Sequence, residues 1–366
     1  MISLRQGKVT QIKKVSLAVT EVTVQLEAKE EPALNYNFLT GPVAVGDRVL
    51  LNTTAAELNL GSGGYHFVVA NLSQPEFKSS SSGHIMKLRY TPLQQAVLAV
   101  EEQSSPHHQA LKEETNLNGL PVIIGSLHSQ LLPVVAAVKT LKPNYRLAYI
   151  MTDGGALPLA LSQTVRSLKE AGYIQTTITA GHAFGGDLEA VNIYSALLAA
   201  KVAAKADVVV VTMGPGITGT GTYLGHTGLE QGQVINAVAA LNGLPIALLR
   251  LSQEDKRERH LGISHHCLTA LQLVALAAAT VPVPLLKRYG TQRFAAYLKQ
   301  QLVLLKQKHK LVEVEADAFL DIVRQVAAKV GLKAQTMGRS LEAEPYFFAA
   351  AACSGQILPS SNCSSS

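Results

Sequence analysis

Residues 208–228 read V-V-V-V-T-M-G-P-G-I-T-G-T-G-T-Y-L-G-H-T-G, an apolar strand pattern that runs straight into a loop of Gly and Thr. Ordering so much Gly costs backbone entropy, so a local interaction is expected to offset it. Gly214, Gly216, Thr218, Gly219, Thr220, Gly221, Thr222 and Thr227 could turn N–H groups and hydroxyls toward an anion. A helix expected from residue 229 would add the positive end of its dipole. The loop matches neither G-x-x-x-x-G-K-[ST] nor a G-x-G-x-x-G placed tightly at a strand end, so no nucleotide is implied.

Four other apolar runs end in comparable loops. Residues 122–125 lead into Ser126-Leu127-His128-Ser129-Gln130, and 146–151 into Thr152-Asp153-Gly154-Gly155. Residues 176–180 lead into a loop with His182 and Asp187, and 246–251 into a polar stretch with Lys256, Arg257, Arg259, His260, His265 and His266. In a parallel sheet all carboxyl ends point the same way, so these loops are expected to converge on the edge where open α/β sheets bind ligands.

Two chemistries fit that set. In the first, the Gly/Thr loop with His128, Arg257 and Arg259 holds an anion, and a proton is moved near neutral pH by His182, His226, His260, His265, His266 or Asp153. In the second, ligands drawn from His128, Asp153, His182, Asp187, His226 and His265 hold a divalent metal that activates water. No H-E-x-x-H spacing occurs, and the adjacent His265 and His266 would easily place only one ring in a first shell if helical. Asp153 reads equally well as a turn residue and Asp187 as an N-cap. A covalent mechanism has less support: Ser126, Ser129 and Ser264 lie near His in sequence, but no G-x-S-x-G elbow is present, and Cys267 falls in an apolar helix.

The elements that must position these residues follow from periodicity. Strands at 122–125, 146–151, 176–180, 207–212 and 246–251 alternate with helices at 132–141, 158–171, 188–204 and 229–242. Near-continuous Val, Ile and Leu runs mark strands covered on both faces, which gives an α/β fold with a doubly wound, mainly parallel sheet of Rossmann-like or flavodoxin-like type. Thr227 and Glu230 have capping-box spacing, and Pro158 suits a first helical position. Beyond residue 286 come a helix at 293–306, a strand at 312–314 and a helix at 316–329. Residues 1–74 read as short strands at 8–14, 21–27, 34–39, 48–53 and 66–70, a small antiparallel β-barrel in which His66 reads as structural. The expected organisation is a barrel domain at 1–74, a Ser-rich linker at 75–92, an α/β domain at 93–356 and a disordered tail at 357–366.

Composition narrows the partners. The net charge of +6 over 366 residues is modest, and the basic run 306–310 has no interleaved aromatic residues, so nucleic acid is not expected and a small anionic ligand is. The apolar run around 271–279 is too short to span a bilayer and reads as a buried helix. The N-terminal residues lack the apolar core of a signal peptide. The three cysteines, Cys267, Cys353 and Cys363, show no paired spacing, which fits a reducing cytoplasm.

The stretches L-N-T-T-A-A-E-L-N-L-G-S-G-G-Y-H-F-V-V-A, G-H-I-M-K-L-R-Y-T-P, M-G-P-G-I-T-G-T-G-T-Y-L-G-H-T-G, R-E-R-H-L-G-I-S-H-H-C-L-T-A-L and T-M-G-R-S resemble those of the uncharacterised bacterial family called domain of unknown function 3866. The resemblance covers nearly the whole chain apart from its Ser-rich end. It implies a bacterial cytoplasmic protein and carries no catalytic residue with it. The expected function is an enzyme, a hydrolase or transferase acting on a small anionic substrate, phosphorylated ones included. The alternative is a non-catalytic metabolite-binding or regulatory protein. The cofactor is left open, a divalent metal included, as is assembly into a homo-oligomer.

Overall fold

The computed structural model describes residues 2–60, 63–79 and 83–359, and the chain divides into two compact units, residues 1–97 and 98–366. Gly61, Ser62, Ser80 to Ser82 and residues 360–366, which include Cys363 and most of the expected tail, lie outside the described residues.

In the first unit, β1 (Leu4–Val15), β2 (Val19–Leu26), β3 (Lys29–Tyr36), β4 (Arg48–Asn52) and β5 (His66–Asn71) form a closed barrel in the order β1-β2-β3-β5-β4. Register shifts at Val9/Gln11 and Ile12/Lys14 bend the long β1, which pairs with both β2 and β4. The barrel is not wholly antiparallel, because β3 and β5 close it as a parallel pair. Val9, Val22, Val24, Val49, Leu51 and Val68 fill its interior. His66 is buried in β5 with its Nε2 2.7 Å from Glu31. Within and just past the Ser-rich stretch, β6 (Ile85–Lys87) pairs antiparallel with β7 (Gln95–Val97).

In the second unit the main strands are β8 (Pro121–Gly125), β9 (Leu147–Thr152), β10 (Thr176–Ala180), β11 (Leu188–Ala190), β12 (Val208–Met213) and β13 (Leu244–Ala247). A short antiparallel pair, β14 (Leu251–Ser252) and β15 (Gly262–Ile263), precedes β16 (Thr280–Leu285) and β17 (Lys310–Glu315). The eight-stranded sheet runs β11-β10-β9-β12-β8-β13-β16-β17, with every neighbouring pair parallel. Helices Leu131–Leu141, Gln163–Glu170, Asp317–Lys329 and Pro345–Ala352 cover one face. Helices Ile193–Val202, Glu230–Ala240 and Gln292–Lys306 cover the other. The connection from β9 leaves toward β10 and that from β12 toward β13, so the strand order reverses between β9 and β12, where such sheets open a crevice. No helix among the described residues is long and apolar enough to cross a membrane.

Several elements differ from the sequence expectation, each for a physical reason. Leu188–Ala190 is an edge strand beside β10, and the helix expected from residue 188 starts at Ile193, capped by the Asn192 side chain. Asp187 is therefore no N-cap: it accepts from the Thr177 N–H and hydroxyl, both at 2.8 Å, and pairs with Lys169. Pro158 precedes a 3-10 turn, Leu159–Leu161, and the following helix is capped by Ser162, which accepts from the Val165 N–H. No capping box forms at Thr227, whose hydroxyl accepts instead from the Thr218 N–H at 3.0 Å. The apolar run near 271–279 is a single π-type turn, Ala270–Val274, rather than a buried helix.

Strand β16 carries Pro282 and Pro284 in T-V-P-V-P-L, a pattern that argues against an interior strand. It is accommodated because β16 pairs with β17 along six residues but meets β13 only at Ile246↔Thr280. Alternate residues of a strand turn their N–H sites the same way, so both prolines lack donors only on the side where the pairing has lapsed.

Candidate functional site

The loops that follow β12 and β14 meet at a cluster of imidazoles. His226 ends the Gly/Thr loop, while His260 precedes β15 and His265 and His266 follow it. The His226 and His266 rings stack with centroids 3.9 Å apart and planes inclined by 15°. His265 lies 5.6 Å from His226 and 4.3 Å from His266, and His260 lies 4.9 Å from His266, all between centroids. One ligand atom from each of His226, His265 and His266 falls within 4.8 Å of the others, a group able to hold a metal.

Local sequence explains this convergence. Ser264 caps the short helix His265–Thr269, accepting from the His266 N–H, and its hydroxyl lies 2.7 Å from His260 Nδ1. That leaves both His265 and His266 in the first turn with their rings toward the loop. Gly232, in the helix that follows His226, lets that helix approach the turn that follows His266. A Cβ there would lie 2.5 Å from the Ala270 carbonyl oxygen. Buried Gln231 ties the same helix to the strand ends, donating to the Ile124 and Leu248 carbonyls. Cys267 is buried, with its thiol pushed up to about 11 by that burial, so it is a packing residue.

The Gly/Thr loop covers the imidazoles directly. A Cβ on Gly219 would lie 2.8 Å from His266 Cε1, and one on Gly228 would lie 3.2 Å from His226 Nδ1. The loop closes on itself: Thr220 N–H donates to Gly225 O at 2.9 Å, Thr227 N–H to Thr218 O at 3.0 Å, and Gly225 N–H to the Thr222 hydroxyl at 3.0 Å. These donors are engaged within the loop, which contributes shape and close approach more than a nest of free N–H groups. Gly214, Gly216 and Ile217 form another wall, together with His128, Ser129 and Lys333, of a crevice of ≈ 230 Å³ at the ends of β8 and β12.

Electrostatics single out a residue that the loop pattern missed. Arg250, between β13 and β14, is 5% exposed and makes no ion pair or side-chain hydrogen bond among the described residues. Burial, reinforced by the charge of Arg257, pulls it down to about 10. Burial is also the main reason the imidazoles are neutral, and the Arg250 charge adds to it: His260 is brought to about 3, His266 to about 2, and His226 and His265 below the usual range. The signal for Arg250 was in the sequence as a lone Arg inside the apolar run I-A-L-L-R-L.

The other candidates take up different positions. Arg257 is occupied by Asp255, with two contacts of 2.9 Å, and Arg339 joins the same carboxylate at 3.2 Å. Arg259 reaches the loop: its Nε donates to His260 Nε2 at 3.4 Å, and its guanidinium lies where a Gly221 Cβ would be. His128 is half-buried, held down to about 4 by desolvation, and engaged by Ser162 Oγ at 2.6 Å and Tyr149 OH at 3.2 Å. Asp153 packs against Gly181 at the ends of β9 and β10, and His182 follows Gly181. His128, Asp153, His182 and Asp187 are not part of the three-imidazole group.

A second omission is Glu230. It lines, with Ser126, Thr152 and Thr212, a cavity of ≈ 10 Å³ at the ends of β8, β9 and β12, room for about one water. Burial pushes its carboxyl up to about 7, against the pull of the Thr152 hydroxyl. The sequence offered Glu230 only as a capping partner.

No curated protein matches the chain. A family model described as "Protein of unknown function (DUF3866)" matches residues 32–355, nearly the whole of the second unit and the first unit from β3 onward, and the chain belongs to that family.

Proposed function

We propose that the α/β unit is an enzyme, a hydrolase or transferase, that binds a small anionic molecule at the carboxyl edge of its parallel sheet. The observation that carries this reading is Arg250, 5% exposed and without an ion pair or side-chain hydrogen bond among the described residues, whose charge acts on four neutral imidazoles. A buried cation without a partner costs several kcal/mol, and an anionic group of a ligand offsets that cost. Arg259 adds a more exposed charge, and the Gly219–Gly221 turn shapes the wall. Glu230, with a carboxyl that titrates at about 7, supplies a group able to give or take a proton near neutral pH.

A non-catalytic sensor would use the same Arg250 site, and turnover of the bound anion separates the two readings. Buried thiols at Cys267 and Cys353 support placement in a reducing compartment such as the cytoplasm. The test is a thermal-shift screen against inorganic phosphate, sugar phosphates, nucleotides and carboxylates, followed by turnover assays on whatever stabilises the protein. Stabilisation with turnover supports the enzyme. Stabilisation without turnover on any hit favours the sensor, and no stabilisation by any anion removes the reading.

A further inference from the structure

We propose that His226, His265 and His266 form a three-imidazole centre for a zinc-class transition-metal dication, with a fourth position open to water or to the anionic ligand. His226 is 7% exposed and His266 5% exposed, and both nitrogens of each ring, together with Nε2 of His265, are buried without a hydrogen-bond partner. Each such buried polar atom costs about 1–3 kcal/mol unless something satisfies it. Several in one place, all of one chemical type, call for a common ligand.

The donor set selects the ion. Neutral imidazole nitrogens suit zinc, cobalt, nickel or copper, whereas magnesium and calcium want oxygen, and no carboxylate belongs to this group. Three His ligands leave a tetrahedral metal one position for exchange. With no carboxylate to reduce its charge, the dication would stand beside Arg250, so the open position favours hydroxide or an anionic oxygen. Only this choice of fourth ligand rests on the anion reading above; the three imidazoles are an independent observation.

The geometry also fixes what must move. In a tetrahedral site with bonds of 2.0–2.1 Å the nitrogens are roughly 3.3 Å apart, closer than the 4.8 Å limit within which they now lie. A metal sits near the plane of each ligating ring, so the parallel stack of His226 on His266 has to open. Ser264 fixes the His266 backbone and Gly219 lies against its ring, while Gly228 lies against the His226 ring, so metal entry has to shift the loop that carries Gly219, His226 and Gly228.

Chelator-treated full-length protein is titrated with Zn²⁺ and with Co²⁺ in anion-poor buffer, read by calorimetry and by the visible spectrum of bound cobalt. The expected result is one ion per chain, a low-coordinate cobalt spectrum, and at least tenfold weaker binding in His265→Ala, a half-buried position whose loss leaves the fold intact. X-ray absorption on the wild-type zinc form should count three imidazoles, which tests the centre even if His266→Ala does not fold. No stoichiometric ion, or unchanged affinity in folded His265→Ala, overturns the centre. Phosphate binding that persists in metal-free protein would leave the anion site standing without it.

Discussion

His226 and His266 come from different strand-end loops, yet their rings stack at 3.9 Å with a tilt of 15°. Two imidazoles pack face to face this closely only while both are neutral. Burial keeps them so, and the positive charge of Arg250 helps. The pair therefore reports on its surroundings, which are buried and positively biased, so that a proton is unwelcome and an anion is not.

Replacing Arg250 by Met should separate stability from function. Removing a buried charge that has no partner is expected to raise the stability of the ligand-free protein by about 1–3 kcal/mol. The same change should abolish any rise in melting temperature caused by phosphate. Chemical denaturation with and without phosphate measures both effects; a destabilised variant that still responds to phosphate would contradict this role.

Gly219→Ala tests the fit of the loop over the cluster. The added methyl would sit 2.8 Å from His266 Cε1 and 3.0 Å from Nε2, so the ring or the loop must shift. A loss of about 1–3 kcal/mol is expected from such overpacking, with a change in the His266 ring resonances by NMR. Gly46, where a Cβ would meet nothing within 4 Å, is no control because its φ is +98°. Ala in place of the exposed Lys256 serves instead.

Glu230 gives a pH dependence whose sign is fixed. Its folded-state pKa, about 7, lies above the ordinary carboxyl value, so the folded protein holds the proton more tightly than the unfolded chain. The Glu230 contribution is therefore most favourable below about pH 4.5 and declines as pH rises toward 7. Glu230→Gln should remove that decline, so the variant gains on the wild type between pH 5 and 8 by on the order of 2 kcal/mol. If Glu230 transfers a proton, the same variant also loses the limb near pH 7 in the rate profile of an identified reaction.

Asp255 behaves in the opposite sense. The Arg257 and Arg339 guanidinium groups hold its carboxyl far below the usual range, so its contribution is present above about pH 4 and fades as pH falls. Asp255→Asn should cost about 3 kcal/mol at pH 7 and flatten the acid limb of stability, since it leaves two arginines without their shared partner. Urea titrations at pH 7 and pH 3 check both halves; an equal loss at the two pH values would contradict the assignment.

The parallel sheet was legible because its strands are uninterrupted Val, Ile and Leu runs, and the convergence of loops followed from topology alone. What sequence could not supply was which loops touch. Spacing made His265 and His266 look mutually exclusive on a helix, yet both lie in a first turn, where side chains can lean toward the same loop. Arg250 was hidden inside a strand pattern and Glu230 inside a capping pattern, because each obeys a local rule while serving a long-range contact. The Thr220 and Thr222 hydroxyls of the Gly/Thr loop close hydrogen bonds within the loop, a pairing that only the folded turn specifies.

The most direct test of the account is a calorimetric titration of inorganic phosphate into wild-type protein and into Arg250→Met at low ionic strength. A single site is expected in the wild type, with at least tenfold weaker binding in the variant. Equal phosphate binding by the two proteins would place the anion elsewhere and contradict it.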